Sequence, residues 1–205
     1  MAFEDLVVTL MVDEVVGSFF VNVPPGHIAC IHDLGRGVLP KIFKPGLHIK
    51  IPFWQTAKLF NAQTLEYTIA DDFDLSHPER LGDVPVNVTT QDGKKLMVKG
   101  SILFRISKQD APKLWENVGD NFVPKVVRPF TRNQIASVFS QVTFAQASTY
   151  RKQLENQIEN ELNKMFSDKG LELERFLLSE IETAKGKTVT ELQDTSDSEK
   201  ADKKD

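Results

Sequence analysis

The sequence predicts an α+β fold, with an antiparallel sheet packed against helices and a polar tail after them. Residues 19–106 alternate apolar and polar side chains in short runs bounded by Pro and Gly, which is the period of strands. Residues 107–168 switch to apolar spacings of three and four, which is the period of helices. A last apolar run, Leu171–Ile181, follows Gly170 and reads as a strand returning to the sheet. With 40% hydrophobic and 26% charged residues over 205 positions, the chain can bury a sizeable core.

The strands follow in order. Val21–Val23 ends at Pro24-Pro25-Gly26, and His27–Asp33 begins a second strand at once. Gly35-Arg36-Gly37 reads as a turn, and Pro45-Gly46 leads into a third strand, Leu47–Ile51. Lys58–Ala70 is expected to form one continuous strand, because Leu59, Asn61, Gln63, Leu65, Tyr67 and Ile69 share a face. Residues 71–83 hold Asp71, Asp72, Asp74, Glu79 and Asp83 with Pro78 and Gly82, and read as an acidic loop. Val84–Thr90 and Lys94–Ile106 flank Gln91-Asp92-Gly93. Asp-Gly between two alternating runs predicts a hairpin with a type I′ turn. Gly100, inside the second arm, marks either a bulge or a close backbone approach.

The helices come next. Ser107 is placed to cap a helix over Lys108–Val118, with Pro112 tolerated in the first turn and Gly119 closing it. Asp120 can cap Asn121–Val142, whose stripe is Val123, Val127, Phe130, Gln134 and Val138. Pro129 inside that segment predicts a kink or a restart. Ser148–Asp168 has the clearest apolar face, made of Tyr150, Leu154, Ile158, Leu162, Met165 and Phe166. Gly170 stops it in the left-handed conformation. Residues 182–205 keep only Val189 and Leu192 as bulky apolar residues, so the tail is expected to be disordered. It has no heptad repeat to carry a coiled coil.

Few residues suggest chemistry. The net charge of −4 argues against general nucleic-acid binding. A single cysteine, Cys30, excludes an intramolecular disulfide or a cysteine zinc cluster. Cys30 and His32 share a strand face, but no third group orients them, and a buried thiol is the ordinary state. His27, His32, His48 and His77 lack any ligand spacing. The acidic loop lacks the turn Gly and closing Glu of an EF-hand. Gly35-Arg36-Gly37 precedes Pro40 rather than a helix, and Gly186-Lys187-Thr188 has Ile181 where a phosphate loop needs its first Gly. Asn87-Val88-Thr89 matches a glycosylation acceptor but lies in a strand. No catalytic, cofactor-binding or metal-binding residue is assigned.

Two features point to a membrane. Residues 6–23 approach the length of a spanning helix, but Asp13 and Glu14 interrupt them, each costing ~2.5–3.5 kcal/mol on insertion scales. Phe3, Leu6, Val7, Leu10 and Met11 also stand at helical spacing, with Glu4 and Asp5 beside them instead of bases. Spanning, peripheral contact and packing on protein all stay open. From Leu34 to Lys58 there are five bases and no acid, interleaved with Ile42, Phe43, Phe53 and Trp54. Cations mixed with aromatic tips suit an anionic membrane interface. Arg36, Lys41, Phe43, Lys44, Phe53 and Trp54 are therefore candidate membrane-contact residues. The alternative puts the bases on the solvated face of a half-buried sheet, with Phe53 and Trp54 in the core.

Several segments occur together in a telling order. Val23-Pro24-Pro25-Gly26-His27 precedes the second strand, followed by Gly35-Arg36-Gly37-Val38, Pro45-Gly46-Leu47-His48 and Ile51-Pro52-Phe53-Trp54-Gln55. Val88-Thr89-Thr90-Gln91-Asp92-Gly93, Val123-Pro124-Lys125-Val126-Val127-Arg128, Tyr150-Arg151-Lys152-Gln153-Leu154 and Gly170-Leu171-Glu172-Leu173 come later. This order resembles the SPFH or band 7 superfamily of stomatins, prohibitins and flotillins, with the prohibitin branch nearest. The resemblance covers residues 19–181, leaving 1–18 as an apolar and acidic segment and 182–205 as the polar tail. It implies a non-enzymatic, membrane-associated scaffold without a cofactor, held peripherally or by a single N-terminal anchor. Its implied partners are a membrane lipid surface, homo- or hetero-oligomers with SPFH relatives, and a membrane protease or channel that it modulates. The interrupted N-terminal segment and the missing coiled coil depart from the family pattern. They support an alternative, a soluble truncated adaptor that binds full-length relatives or client proteins without an anchor of its own.

Overall fold

The computed structural model describes residues 18–71 and 81–183. The expectations for residues 1–17, for most of the acidic loop and for the tail, including Gly186-Lys187-Thr188, lie outside the described residues. The described chain divides into two compact units.

The first unit takes residues 18–63, 106–120 and 169–171. It holds β1 (Phe20–Val23), β2 (His27–Asp33), β3 (Gly37–Phe43), β4 (Gly46–Ile49), β5 (Gln55–Asn61) and α1 (Ala111–Asn117). β2 is the centre of an antiparallel sheet ordered β3–β2–β5, and its Ala29, Cys30 and Ile31 are buried. β1 and β4 form a separate antiparallel ribbon, with Phe20 opposite Ile49 and Asn22 opposite Leu47. The core gathers Val21, Val23, Ala29, Ile31 and Phe43, with Leu39 and Ala57 packed on it. Trp115 of α1 stands edge-on to Phe60 and His32, each with ring centroids 6.2 Å apart.

β3 was not expected, and it contains Pro40. The proline is tolerated for a physical reason: β3 is an edge strand, and its register on β2 slips between the Cys30–Ile42 and His32–Val38 pairs. Pro40 falls in that irregular stretch, where no ladder donor is required. Ser107 does not cap α1. The helix begins at Ala111 after Asp110, with Pro112 in its first turn, and the Ser107 hydroxyl bonds the Asp110 carboxylate at 3.2 Å. Asp120 does not cap the following helix either, since it takes an ion pair from Lys58 at 2.5 Å.

The second unit takes residues 64–71, 81–105, 121–168 and 172–183. Its sheet contains β6 (Leu65–Ile69), β7 (Leu81–Asp83), β8 (Val86–Thr89), β9 (Lys95–Ile106) and β10 (Leu171–Thr183). The order is β10–β9–β6–β7, with β8 also paired to β9. The predicted single strand over Lys58–Ala70 is in fact two, β5 and β6, in separate sheets. An Asx-type turn interrupts it, with the Gln63 N–H donating to Asn61 Oδ1 at 2.9 Å. The end of the expected acidic loop is β7, parallel to β6.

The β8–β9 hairpin forms where expected, but its turn is not type I′. Gly93 is at φ 77, while Asp92 does not have a positive φ. The Gly93 N–H donates to the Thr90 carbonyl at 2.9 Å, and Thr90 Oγ1 accepts from the Lys94 N–H at 3.1 Å. A Thr side chain that bonds across the loop favours a longer turn closed by a left-handed glycine. At Gly100 the close-approach alternative holds, since a Cβ there would sit 2.5 Å from the Leu177 carbonyl oxygen.

The expected restart near Pro129 is a π-helical turn, Val123–Val127, feeding α2 (Arg128–Ser140). The Arg128 N–H reaches back to the Val123 carbonyl, one residue further than in an α-helix. The helix predicted over Ser148–Asp168 is two, α3 (Phe144–Thr149) and α4 (Arg151–Ser167). Thr143 and Gln146 form a capping box that starts α3 early. Leu154, Ile158, Leu162 and Phe166 are buried as the period predicts, while Tyr150, at the break, is exposed. Phe104 of β9 meets Phe122 and Phe166 edge-on, with centroids 6.3 and 6.1 Å away.

Candidate functional site

The β1–β4 ribbon of the first unit has apolar side chains on both faces. Strand alternation sends Val21 and Val23 into the core and Phe20 outward. On β4, Leu47 and Ile49 point outward and are 68% and 72% exposed. The register sets Ile49 directly opposite Phe20 and the exposed Asn22 opposite Leu47, so the outer face carries three apolar side chains and one amide. In the turn after β4, Ile51, Phe53 and Trp54 are exposed as well.

Phe53 is the most exposed of these at 84%, and its φ of 61 is the only positive value outside glycine among the described residues. A left-handed non-glycine residue costs about 1–3 kcal/mol, and it persists only where its surroundings impose it. Here they do. The Gln55 N–H donates to the Ile51 carbonyl at 2.9 Å, and Gln55 Oε1 accepts from the Ile51 N–H at 3.1 Å. The Leu34 N–H donates to the Trp54 carbonyl at 3.0 Å.

Behind this turn lies the Asp33 carboxylate, buried at 1% exposure. It accepts from Gln55 Nε2 at 3.1 Å, from the Gly35 N–H at 3.1 Å and from Arg36 at 3.3 Å. The Gln55 hydrogen bond, with those from Gly35 and Arg36, holds this carboxyl below the usual carboxylate range against the opposing effect of burial. Asp33 thus ties the β2–β3 turn to the β4–β5 turn.

The six sequence-predicted contact residues separate. Phe53 and Trp54 point outward, so the alternative that placed them in the core is overturned. Arg36 is exposed and tethered to Asp33. Lys41 and Lys44 are exposed but lie on β3 and just before β4, away from the Phe53 turn in sequence. Phe43 must be corrected: it is buried in the core and stacks on His48 with centroids 4.4 Å apart. Sequence reasoning missed Phe20, Leu47, Ile49 and Ile51. Their period of two was visible, but a period identifies a face without saying which face is covered.

Other candidates are spent on structure. The Cys30 thiol is fully buried, and burial pushes it up to about 11, so it is protonated at neutral pH. Asp71 pairs with Lys99, and Asp83 receives Arg128 and Arg132, each at 2.8 Å. The two described ends of the acidic loop are therefore engaged by bases. Among the described residues no group of His, Cys, Asp or Glu is placed to hold a metal ion, and no helix is long and apolar enough to cross a membrane.

Comparison with known proteins bears on this arrangement. The sequence profile of the SPFH domain / Band 7 family matches residues 21–203. Prohibitin 1 of Mus musculus is 26% identical over 177 residues, covering 86% of this chain and 59% of its own length. Prohibitin-1 of Colletotrichum higginsianum is 23% identical over 164 residues, covering 78% and 53%. Prohibitin-1 of Saccharomyces cerevisiae is 22% identical over 153 residues, covering 75% and 48%. The chain therefore spans between about half and three-fifths of the length of these relatives.

Proposed function

The chain belongs to the SPFH domain / Band 7 family, and from that premise we propose that it is a membrane-associated scaffold that meets an anionic lipid surface through the outer face of β1–β4 and the Phe53–Trp54 turn. Family membership supports the scaffold role. The observation that supports the lipid contact is a set of exposed apolar side chains on a small β-unit, from Phe20 to Trp54. A concentration of exposed apolar side chains of this kind marks an interaction site.

The physics favours lipid over water. Trp and Phe tips are stable at the headgroup level, and each nearby base adds ~1 kcal/mol toward an anionic leaflet. Lys50, next to β4, and the exposed Lys41 and Lys44 of the same unit supply that charge, while Arg36 is paired with Asp33. A single such contact is weak. Association with further copies or with SPFH relatives multiplies it, since linked weak contacts act at high effective concentration. As the family resemblance implies, the scaffold would modulate a membrane protease or channel.

Flotation of the full chain with vesicles tests the proposal. Recovery with anionic vesicles, little with neutral ones, and loss in a Phe53→Ser, Trp54→Ser double variant are expected. If the intact chain fails to float with anionic vesicles, the lipid contact falls and the adaptor reading replaces it. Light scattering of the same sample reports self-association.

A further inference from the structure

A groove of about 460 Å³ lies beside the Phe53 turn, lined by Phe20 and Val21 of β1, Phe53, and Ala57 and Leu59 of β5, with Lys50 among them. This volume falls inside the ~300–1,000 Å³ of small-molecule sites, which are mostly apolar with a few placed polar groups. We infer that the groove binds one acyl chain of an anionic amphiphile, with the Lys50 ammonium meeting its headgroup. The inference deepens the membrane reading and rests on it for its biological source, since adsorption to a bilayer needs exposed side chains but no groove.

Three observations favour this occupant. Five of the eight lining residues are apolar, and Lys50, Gln55 and Thr56 are the polar ones, a balance that suits an apolar chain with one charged end better than a free phosphate or a sugar. The lining itself holds one base, Lys50, and no acid. Asp33, behind the Phe53 turn, is buried and satisfied by Gln55, Gly35 and Arg36. Finally, the strained residue is part of the lining. Phe53 is held at φ 61 by the Ile51–Gln55 bonds, and a fixed, costly backbone beside an open groove is characteristic of a preorganised site. A peptide segment would compete for the apolar side chains, but it would not call for a base in a lining without an acid.

The full chain titrated with octanoate, decanoate and dodecanoate, each below its micelle-forming concentration, tests this by calorimetry and by amide NMR shifts. Saturable one-to-one binding is expected, tightening roughly fourfold per added methylene as each is removed from water. Thr56 is exposed and lines the groove. A Thr56→Trp variant should keep its circular dichroism and weaken dodecanoate at least tenfold, and Lys50→Gln should weaken it severalfold. Absence of saturable binding, affinity independent of chain length, or indifference to Thr56→Trp each overturns the groove. Flotation separates the two readings. Wild-type chain that floats but binds no carboxylate loses the groove and keeps the membrane contact. Chain that binds dodecanoate but does not float keeps the groove as a site for free fatty anions and loses the membrane contact.

Discussion

The two units of this chain treat their surfaces in opposite ways. Of the twelve large hydrophobic residues exposed among the described positions, nine lie between Phe19 and Leu59 in the first unit. The second unit exposes only Val84, Tyr150 and Leu177 and covers its sheet with paired charges. Lys99 is held by Asp71, Glu180 and Glu182, Arg105 by Glu172 and Glu174, and Asp83 by Arg128 and Arg132. The Asp71 hydrogen bond, then that of Glu182, raises the Lys99 ammonium above its ordinary value and keeps it charged. One unit has completed its surface. The other keeps apolar area in water, at a cost of about 25 cal/mol per Å², and that is where a ligand or membrane has something to gain.

Removing apolar side chains should affect the two units very differently. Phe176→Ala, at a fully buried position, should cost the second unit ~3–5 kcal/mol in urea unfolding. Ile49→Ser, on the outer face of the first unit, should change stability by no more than ~0.5 kcal/mol. A loss at Ile49 comparable to that at Phe176 would mean that the outer face is packed in the native chain, and the contrast would collapse.

The charged side of the comparison is tested at Asp83. Burial pushes its carboxyl up, but the Arg128 hydrogen bonds and the Arg132 and Arg128 charges outweigh this and hold it below the usual range. A depressed native value adds stability that is present above the unfolded value near ~3.9 and is lost as pH falls toward the native one. Asp83→Asn should therefore lower stability at pH 7 by ~1–3 kcal/mol, and the difference from wild type should shrink by pH 3. A constant difference from pH 7 to 3 would show that the pair contributes through packing rather than ionisation.

A smaller effect is expected at the strained turn. Phe53→Gly removes the left-handed penalty but loosens the unfolded chain, so stability should stay within ~1 kcal/mol of wild type. Phe53→Val places a β-branched side chain in that conformation and should be ~1–2 kcal/mol less stable than the glycine variant. Equal stabilities would mean that the turn relaxes and imposes no strain. The smallest change is at Cys30: a thiol reagent at pH 8 should leave the native thiol unmodified and label it fully in denaturant. Rapid native labelling would show that the β3–β2–β5 sheet opens easily.

Much of the fold could be read from residue order. His27–Asp33 is a strand over the predicted range, the β8–β9 hairpin forms around Asp92-Gly93, and Leu154, Ile158, Leu162 and Phe166 are the buried face of α4. These are local periods and breakers, and the chain obeys them because they require no partner outside the segment. The misreadings arise where a side chain or a register outside the predicted pattern supplies what the local rule did not, at close range in some cases and across the chain in others. Pro40 sits in a strand because the β2–β3 register slips beside it. The hairpin turn changes type because Thr90 bonds across it. Asp120 leaves its capping role because Lys58, sixty-two positions away, takes it.

The candidate site divides along the same line. Phe43 and Phe53 looked alike as aromatic residues in a basic stretch, yet one is core and the other is the most exposed large apolar residue described. Nothing local separates them. Phe43 pairs through β3 with the buried side of β2, while Asp33, Gln55 and Leu34 hold the turn that turns Phe53 outward.

Family, α+β class, the run of bases without acids and the alternation of Leu47, Ile49 and Ile51 were legible in residue order, because composition and period are written in neighbouring residues. Packing in three dimensions was needed to turn this alternation outward, to hold Phe53 at φ 61 and to bring β1 and β5 to one groove. Which face of a strand is covered depends on what packs against it, and that partner is supplied by the fold.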